Sequence, residues 1–457
     1  MIKGYLTVFL SLTLSLLIGF VLLLSEGAVQ NGNKVRFECV VDTGMNATLG
    51  EYHVGLLEEY DLLYIDTSYL GKEPSTENLE SRLHYYVTEN LEPPWGYMAL
   101  EDIDIISLET AAADYGASMR SQACEYIFSR EDSIGQQWKI LDMLEDLHGL
   151  EAGDTVADWN ELMTRIAEME LPQVKNEEGK WEELPLSNPA DGVYGLLESD
   201  IFYLAGMDTE KMSVVSIQPE NYISHRQVQN VQSADREYNQ DEGAYLTYLF
   251  EKMGYVKNPS EDTLLSYQLE YVVCGGVTDY ENVSEVWKRI FRWRFKDNLS
   301  CAKADKNLCN EAESAAYALP VVQLRPEFQE PVAESILYAC AFLESVNDIK
   351  VLYRGGEVPL SKVNHNMSVA HVLYGALYEA HEGEGLSYKE YLAGMLLLMD
   401  DKILNLRVMD VMEMEMRMRD QNPNFAMDWC AERYEARVTV RNSFGRTWEI
   451  HRKYGYY

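Results

Sequence analysis

Basic residues are scarce in this chain of 457 residues. Thirty-eight Lys and Arg stand against 75 Asp and Glu, a formal charge of −37. Phosphate backbones need Lys and Arg to neutralise them, so the balance excludes a nucleic-acid partner and disfavours a peripheral grip on anionic lipid. The same charge favours solubility and makes neighbouring copies repel one another. Internal repeats and low-complexity tracts are missing. No CxxC occurs, and seven scattered cysteines, an odd number, are not a disulfide framework. Cys301 and Cys309 flank a short polar loop and could pair; Cys274 and Cys340 sit in apolar sequence and read as small buried hydrophobes.

The common catalytic signatures are missing too. There is no HExxH, GxSxG, GxGxxG or GxxxxGK[ST]. His365 and His371 lie six apart, with His381-Glu382 beyond, which is not a metal-ligand spacing on a helix. Gly275-Gly276 reads as a tight turn rather than a phosphate cradle. No cofactor or metal is expected.

What the chain does have is one long apolar run. Tyr5 to Leu24, YLTVFLSLTLSLLIGFVLLL, carries no charge over 20 residues, which is enough helix to cross a bilayer core. Two readings compete. A secretory signal would have a shorter apolar core and a small-x-small cut, for which Ser25-Glu26-Gly27 is the only candidate. The length favours a retained anchor over residues 1–25, with a short cytoplasmic N-terminus and an extracytoplasmic remainder, although Lys3 on one side and Lys34 and Arg36 on the other leave the charge rule weak. Thr7, Ser11, Ser15 and Gly19 recur every four residues and form a small-residue face suited to packing on other membrane helices.

Beyond the run, Val29, Phe37, Val40, Val41, Leu49, Val54, Leu56 and Leu57 keep helical spacing, so one long helix should continue upward, with Gly44 or Gly50 as kink points. Tyr60–Gly71 and 264–276 read as strands, 72–115 as mixed and 350–360 as a hairpin or strand-turn. Helices are expected over 117–148, 155–170, 235–254, 279–298, 302–318, 328–350 and 387–420. ARVTVRN (436–442) and RTWEIHRKYGYY (446–457) read as a C-terminal hairpin. The polar stretch 171–192, with three prolines and two glycines, reads as a linker between a first half, 26–170, and a second half, 193–457. The fold class is α+β: an N-terminal transmembrane helix, then a helix-dominated extracytoplasmic part with short β elements.

Charged residues in apolar helices are the remaining candidates. Glu344 and Asp348 are spaced i, i+4 and share a helix face; they could share a proton or bind a cation, but more simply meet basic partners from another helix. Arg407 and Asp410, i, i+3 among Leu and Met, must likewise be paired. All four read as structural, and no residue reads as catalytic. MEMEMRMR (412–419) reads as a helix with Met on several sides.

Five stretches carry a family resemblance: 3–28, GEYHVGLLEEYDLLYIDTSYLG (50–71), LEYVVCGGVTDYENVSEVWKRIFRWRF (269–295), ACAFLESVNDIKVLYRGGEVPLSK (339–362) and YKEYLAGMLLLMDDKILNLRVMDVMEM (388–414). In this order they resemble a bacterial family known as domain of unknown function 5702. The middle, 72–260, contributes little to the likeness. The resemblance implies the context of Tad-type pilus loci and a likeness to their pseudopilins: one N-terminal helix, then an extracytoplasmic part, with other envelope or pilus-apparatus proteins as partners. Pilin-like precursors are cut after a Gly and carry Glu five residues later. Here Phe9 stands at that distance from Gly4, so processing and polymerisation are not implied. The resulting expectation is a single-pass, non-enzymatic envelope protein accessory to such an apparatus. The alternative is an envelope enzyme or ligand-binding receptor on the same anchor.

Overall fold

In the computed structural model the chain is helix-dominated α+β, as its sequence pattern implies. The structure describes residues 2–69, 71–91, 98–130, 138–209, 212–213, 215–232, 237–363, 365–374, 384–442 and 445–456. The chain divides into two units. The first comprises 1–126, 222–240 and 412–457, and the second 127–221 and 241–411. The 171–192 stretch is therefore no boundary: it lies inside the second unit and forms a small hairpin, Gln173–Lys175 with Trp181–Glu183.

The first unit begins with helix α1 (Ile2–Leu49), unbroken from the apolar run onward. Its far end supplies Phe37, Val40, Val41, Met45 and Leu49 to a core shared with Leu79, Leu83, Val87 and Leu91 of α2 (Thr76–Leu91). Both sets repeat at three to four residues, so each helix turns one apolar face inward. Gly44 does not kink α1. A Cβ there would stand 3.0 Å from Val87 Cγ2, so the glycine lets α1 and α2 approach closely.

The sheet under these helices is antiparallel. β1 (Ile65–Asp66), β2 (Met98–Thr110) and β4 (Thr447–Gly455) all pair with β3 (Cys430–Asn442). Tyr434, Ala436, Val438 and Val440 of β3 are buried in the core, at the period of two that a strand with one dry face requires. The alternating Arg437 and Arg441 form ion pairs with Asp104 and Glu101 of β2. Tyr456 Oη donates to the Leu49 carbonyl at 2.6 Å, and Arg452 Nε to Asp42 at 3.1 Å, so the last strand clasps the end of α1.

The second unit is helical. Its centre is α5 (Gln329–Arg354), largely apolar and mostly buried from Val332 to Leu352 and packed on α4 (Asp279–Ala304). Thr278 caps α4 by accepting from Glu281 N, while the Glu281 carboxylate accepts from Val277 N, one residue before the cap.

Several local readings change. Residues 264–276 hold α3 (Gln268–Cys274), a helix buried on most sides, and a continuous apolar run does not distinguish that from a buried strand. Within Tyr60–Gly71, Ile65–Asp66 alone is strand among the described residues. The 350–360 hairpin is instead the end of α5, stopped by Gly355 at φ +93. The 387–420 helix is two, Tyr388–Leu397 and α6 (Asp401–Arg419), separated where the Asp400 carboxylate accepts from Lys402 N.

Candidate functional site

The apolar run is one site by composition. Tyr5 to Leu24 lie in α1 with none of the stretch buried, and the large apolar side chains there are 52% to 76% exposed. Thr7, Ser11 and Ser15 are exposed and Gly19 is half-buried. Ser11 Oγ donates to the Val8 carbonyl at 2.9 Å and Thr13 Oγ1 to Leu10 at 3.0 Å. These hydroxyls are satisfied by the helix itself, which is what hydrocarbon surroundings demand. One helix here is thus long and apolar enough to cross a membrane, by length and composition, and a signal sequence passes the same test.

The densest polar site is a buried network in the second unit. The Arg294 guanidinium, with no exposure, donates to Asp348 Oδ2 (3.0 Å), Asp297 Oδ2 (2.8 Å) and the Leu360 carbonyl (2.7 Å). Lys362 Nζ donates to Glu344 Oε1 (2.6 Å) and Asp348 Oδ1 (2.5 Å). Asn298 Nδ2 donates to Asp348 Oδ2 and Ser345 Oγ. Glu344 and Asp348 thus share one face of α5, as their spacing requires. Their cations come from α4 and from the segment after α5. Burial alone would depress the Arg294 pKa; Tyr391, Asp348 and Asp297 more than offset it, and the guanidinium stays charged. Chemically, the arrangement joins two helices and a connecting segment through carboxylates whose oxygens are taken up by fixed cations. Three cavities among the described residues are lined by other side chains.

Arg407 and Asp410 are placed elsewhere in the same unit, on α6. Arg407 Nη1 donates to the carbonyls of Val272 (3.0 Å) and Val273 (2.8 Å), a cation on the last turn of α3. Asp410, fully buried, accepts from Tyr271 Oη at 2.8 Å.

Cys301 and Cys309 are free thiols, which corrects the pairing suggested by their spacing. Cys301 lies near the end of α4, and the Cys309 thiol instead points to the carbonyls of Ala302 and Lys303, at 3.6 Å each. Cys274 and Cys340 are also free, and burial pushes both thiols up to about 12. His365 meets Asp305 at 3.3 Å; His381-Glu382 lies outside the described residues. Among the described residues no group of three His, Cys, Asp or Glu could hold a metal.

Glu413 and Glu270 are among the buried carboxylates that escape sequence reading. Glu413, in the Met-rich stretch, is fully buried in the first unit and meets Arg226 (2.5 Å) and Arg417 (3.0 Å). Glu270, fully buried in α3, accepts from Tyr388 Oη (2.6 Å) and Val256 N (2.9 Å) and, among the described residues, has no cation partner; burial pushes it up to about 7. The signal available for both was a lone Glu flanked by apolar residues on a helix.

No curated protein and no solved structure matches the chain. Residues 179–442, more than half of it, match the family of unknown function DUF5702, and the chain belongs to that family.

Proposed function

We propose that the chain is a single-pass, non-enzymatic component of the cell envelope, its N-terminus cytoplasmic and the remainder extracytoplasmic, accessory to a Tad-like pilus or secretion apparatus. The observation that carries the anchor is the continuity of α1: 20 uncharged, unburied residues run without a break into the residues that build the core of the first unit. A signal cut near Ala28 would separate one from the other. The apparatus rests on the family resemblance and on the order of one long helix followed by an antiparallel sheet. The non-enzymatic reading is supported by the buried acids Glu344 and Asp348, which meet cations rather than line the described cavities.

Cys39 provides the test. It is exposed on α1, 15 residues beyond Leu24, about 22 Å at the rise of a helix. The full chain should resist carbonate extraction at its unprocessed mass. A membrane-impermeant maleimide should label it on intact cells, and Cys39→Ser should remove that label. A soluble product starting near Ala28 would sink the anchor; labelling of Cys39 only after lysis would sink the orientation.

A further inference from the structure

The sheet of the first unit has two outer strands. Among the described strands, β2 and β4 each pair with β3 alone. The core stops short at both. Residues of β3 that face it are fully buried, while their cross-strand neighbours Leu100, Ile103 and Ile105 on β2 and Trp448 and Tyr454 on β4 are only half-buried. Ile105 N donates to the Glu80 carboxylate of α2 at 3.1 Å, so an amide of this edge is met by a side chain that a strand carbonyl can replace. The two strands also differ in sign. β2 carries four acids and no base; β4 carries His451, Arg452 and Lys453 against Glu449. Most of these charges are engaged: Asp104 and Glu101 with arginines of β3, His451 with Glu449, Arg452 with Asp42. Asp102 and Lys453 are left. Both are exposed, they stand opposite Thr439 and Glu435 on the outward face of β3, and among the described residues neither forms an ion pair.

We propose that β4 of one copy of this chain pairs with β2 of the next, continuing the sheet from copy to copy. Both strands run antiparallel to β3, so they run parallel to each other. A copy set beside the first by translation therefore lays its β2 parallel to the neighbour's β4. The half-buried apolar rows then share one face, and Asp102 and Lys453 share the other. The open backbone of both edges and the unfinished core gain a partner in one step. Sign selects the match. β2 against β2 would set four acids on four, and like charges directly opposite are destabilising. The net charge of −37 opposes approach from afar, but it is screened beyond about 8 Å at physiological ionic strength, whereas the strand charges act at contact. The two surfaces are different, so the contact is head-to-tail and repeats along a row. The inference concerns the sheet of the first unit and stands apart from the anchor reading.

Sedimentation equilibrium of the full chain in dodecylmaltoside micelles, with hydrogen exchange at low and high protein concentration, tests this. The chain should self-associate, and peptides covering 98–105 and 447–455 should both gain protection as concentration rises. Asp102→Lys and Lys453→Glu should each weaken association about fivefold, the scale of a cross-strand charge pair. The chain carrying both substitutions should regain it, because head-to-tail pairing brings the exchanged charges together again. Two substitutions that merely damaged the fold would not rescue each other. A chain that stays monomeric, single variants that associate like the parent, or a loss that the double variant keeps would each overturn the proposal. So would protection gained by β4 without β2, which marks a symmetric contact, or by Tyr5–Leu24 alone, which marks association through the apolar helix.

Discussion

Glu270 shows what a single buried acid does to this molecule. It sits in α3 with no exposure, receives hydrogen bonds from Tyr388 and Val256, and among the described residues meets no cation. Burial disfavours its charged form and pushes it up to about 7. A carboxyl raised in the folded state contributes stability that is fully present below its unfolded value, near 4.3, and that is lost as pH rises through 7. Between pH 6 and pH 8 the loss amounts to about 1 kcal/mol at 1.36 kcal/mol per pKa unit. Glu270→Gln keeps the shape without the charge. Thermal melts of the purified full chain should therefore fall less steeply from pH 6 to pH 8 in Glu270→Gln than in the parent, and the variant should be the more stable of the two at pH 8. Parallel pH profiles would show that Glu270 ionises without cost. The Arg294 network is the opposite case. Asp348 there meets Arg294, Lys362 and Asn298 together, so cations and an amide surround it where Glu270 has a tyrosine hydroxyl and a backbone N–H.

At the scale of elements, the end of α3 is set by one residue. Gly275 adopts φ +70 and its N–H donates to the Tyr271 carbonyl, closing the helix. Any Cβ there meets Arg407 Nη2 at 2.7 Å, and Arg407 is the cation on the Val272 and Val273 carbonyls. Gly206 makes a useful contrast: it ends the helix Ile201–Ala205 at φ +64 with open space around it. Gly206→Ala should cost only the left-handed strain, about 1 kcal/mol. Gly275→Ala should cost about 1–2 kcal/mol more, because the guanidinium must leave its carbonyls. In the Arg407→Ala background that excess should vanish. Equal melting shifts for the two glycine variants would refute the account. This site also marks the limit of the sequence. Gly-Gly was legible as a stop, but LEYVVC before it reads equally as strand or buried helix, since both faces are dry. The long helices of the second unit were legible from their length and apolar content, and the C-terminal hairpin from its alternation at a period of two. β2 was not: Leu100, Ile103, Ile105 and Leu108 depart from strict alternation where the pairing slips at Leu100/Asp102 and Ile105/Ser107. Two acids of the buried network, Glu344 and Asp348, could be picked out by their i, i+4 spacing; Asp297 could not. Their partners Arg294 and Lys362 could not, because tertiary packing alone brings them there.

At the scale of the whole molecule, the first unit is closed by residues from opposite ends of the chain. Its core joins α1 and α2 to β3 and β4, about 400 positions later in sequence. Long-range pairing of this kind pays a large loop-closure cost before its contacts repay it, so the two ends depend on each other. β4 contributes Ile450 to the core, pairs along β3 from Arg433 to Arg441, and brings Arg452 and Tyr456 to Asp42 and Leu49. A chain ending at Asn442 would keep α1, α2, β2 and β3 but leave β3 with an open edge and the core with an open side. Hydrogen exchange on the full-length and shortened chains in nanodiscs tests the dependence. Peptides covering Phe37–Leu49, Leu79–Leu91 and 98–110 should lose protection in the shortened chain, while the apolar run Tyr5–Leu24, which draws nothing from the sheet, should keep its own. Unchanged exchange in α2 and β2 would mean that the last strand is an ornament on a core already complete. Loss of protection makes the C-terminal strand the element that fixes α1 to the sheet, and so the part of the chain through which a pull on α1 would be resisted.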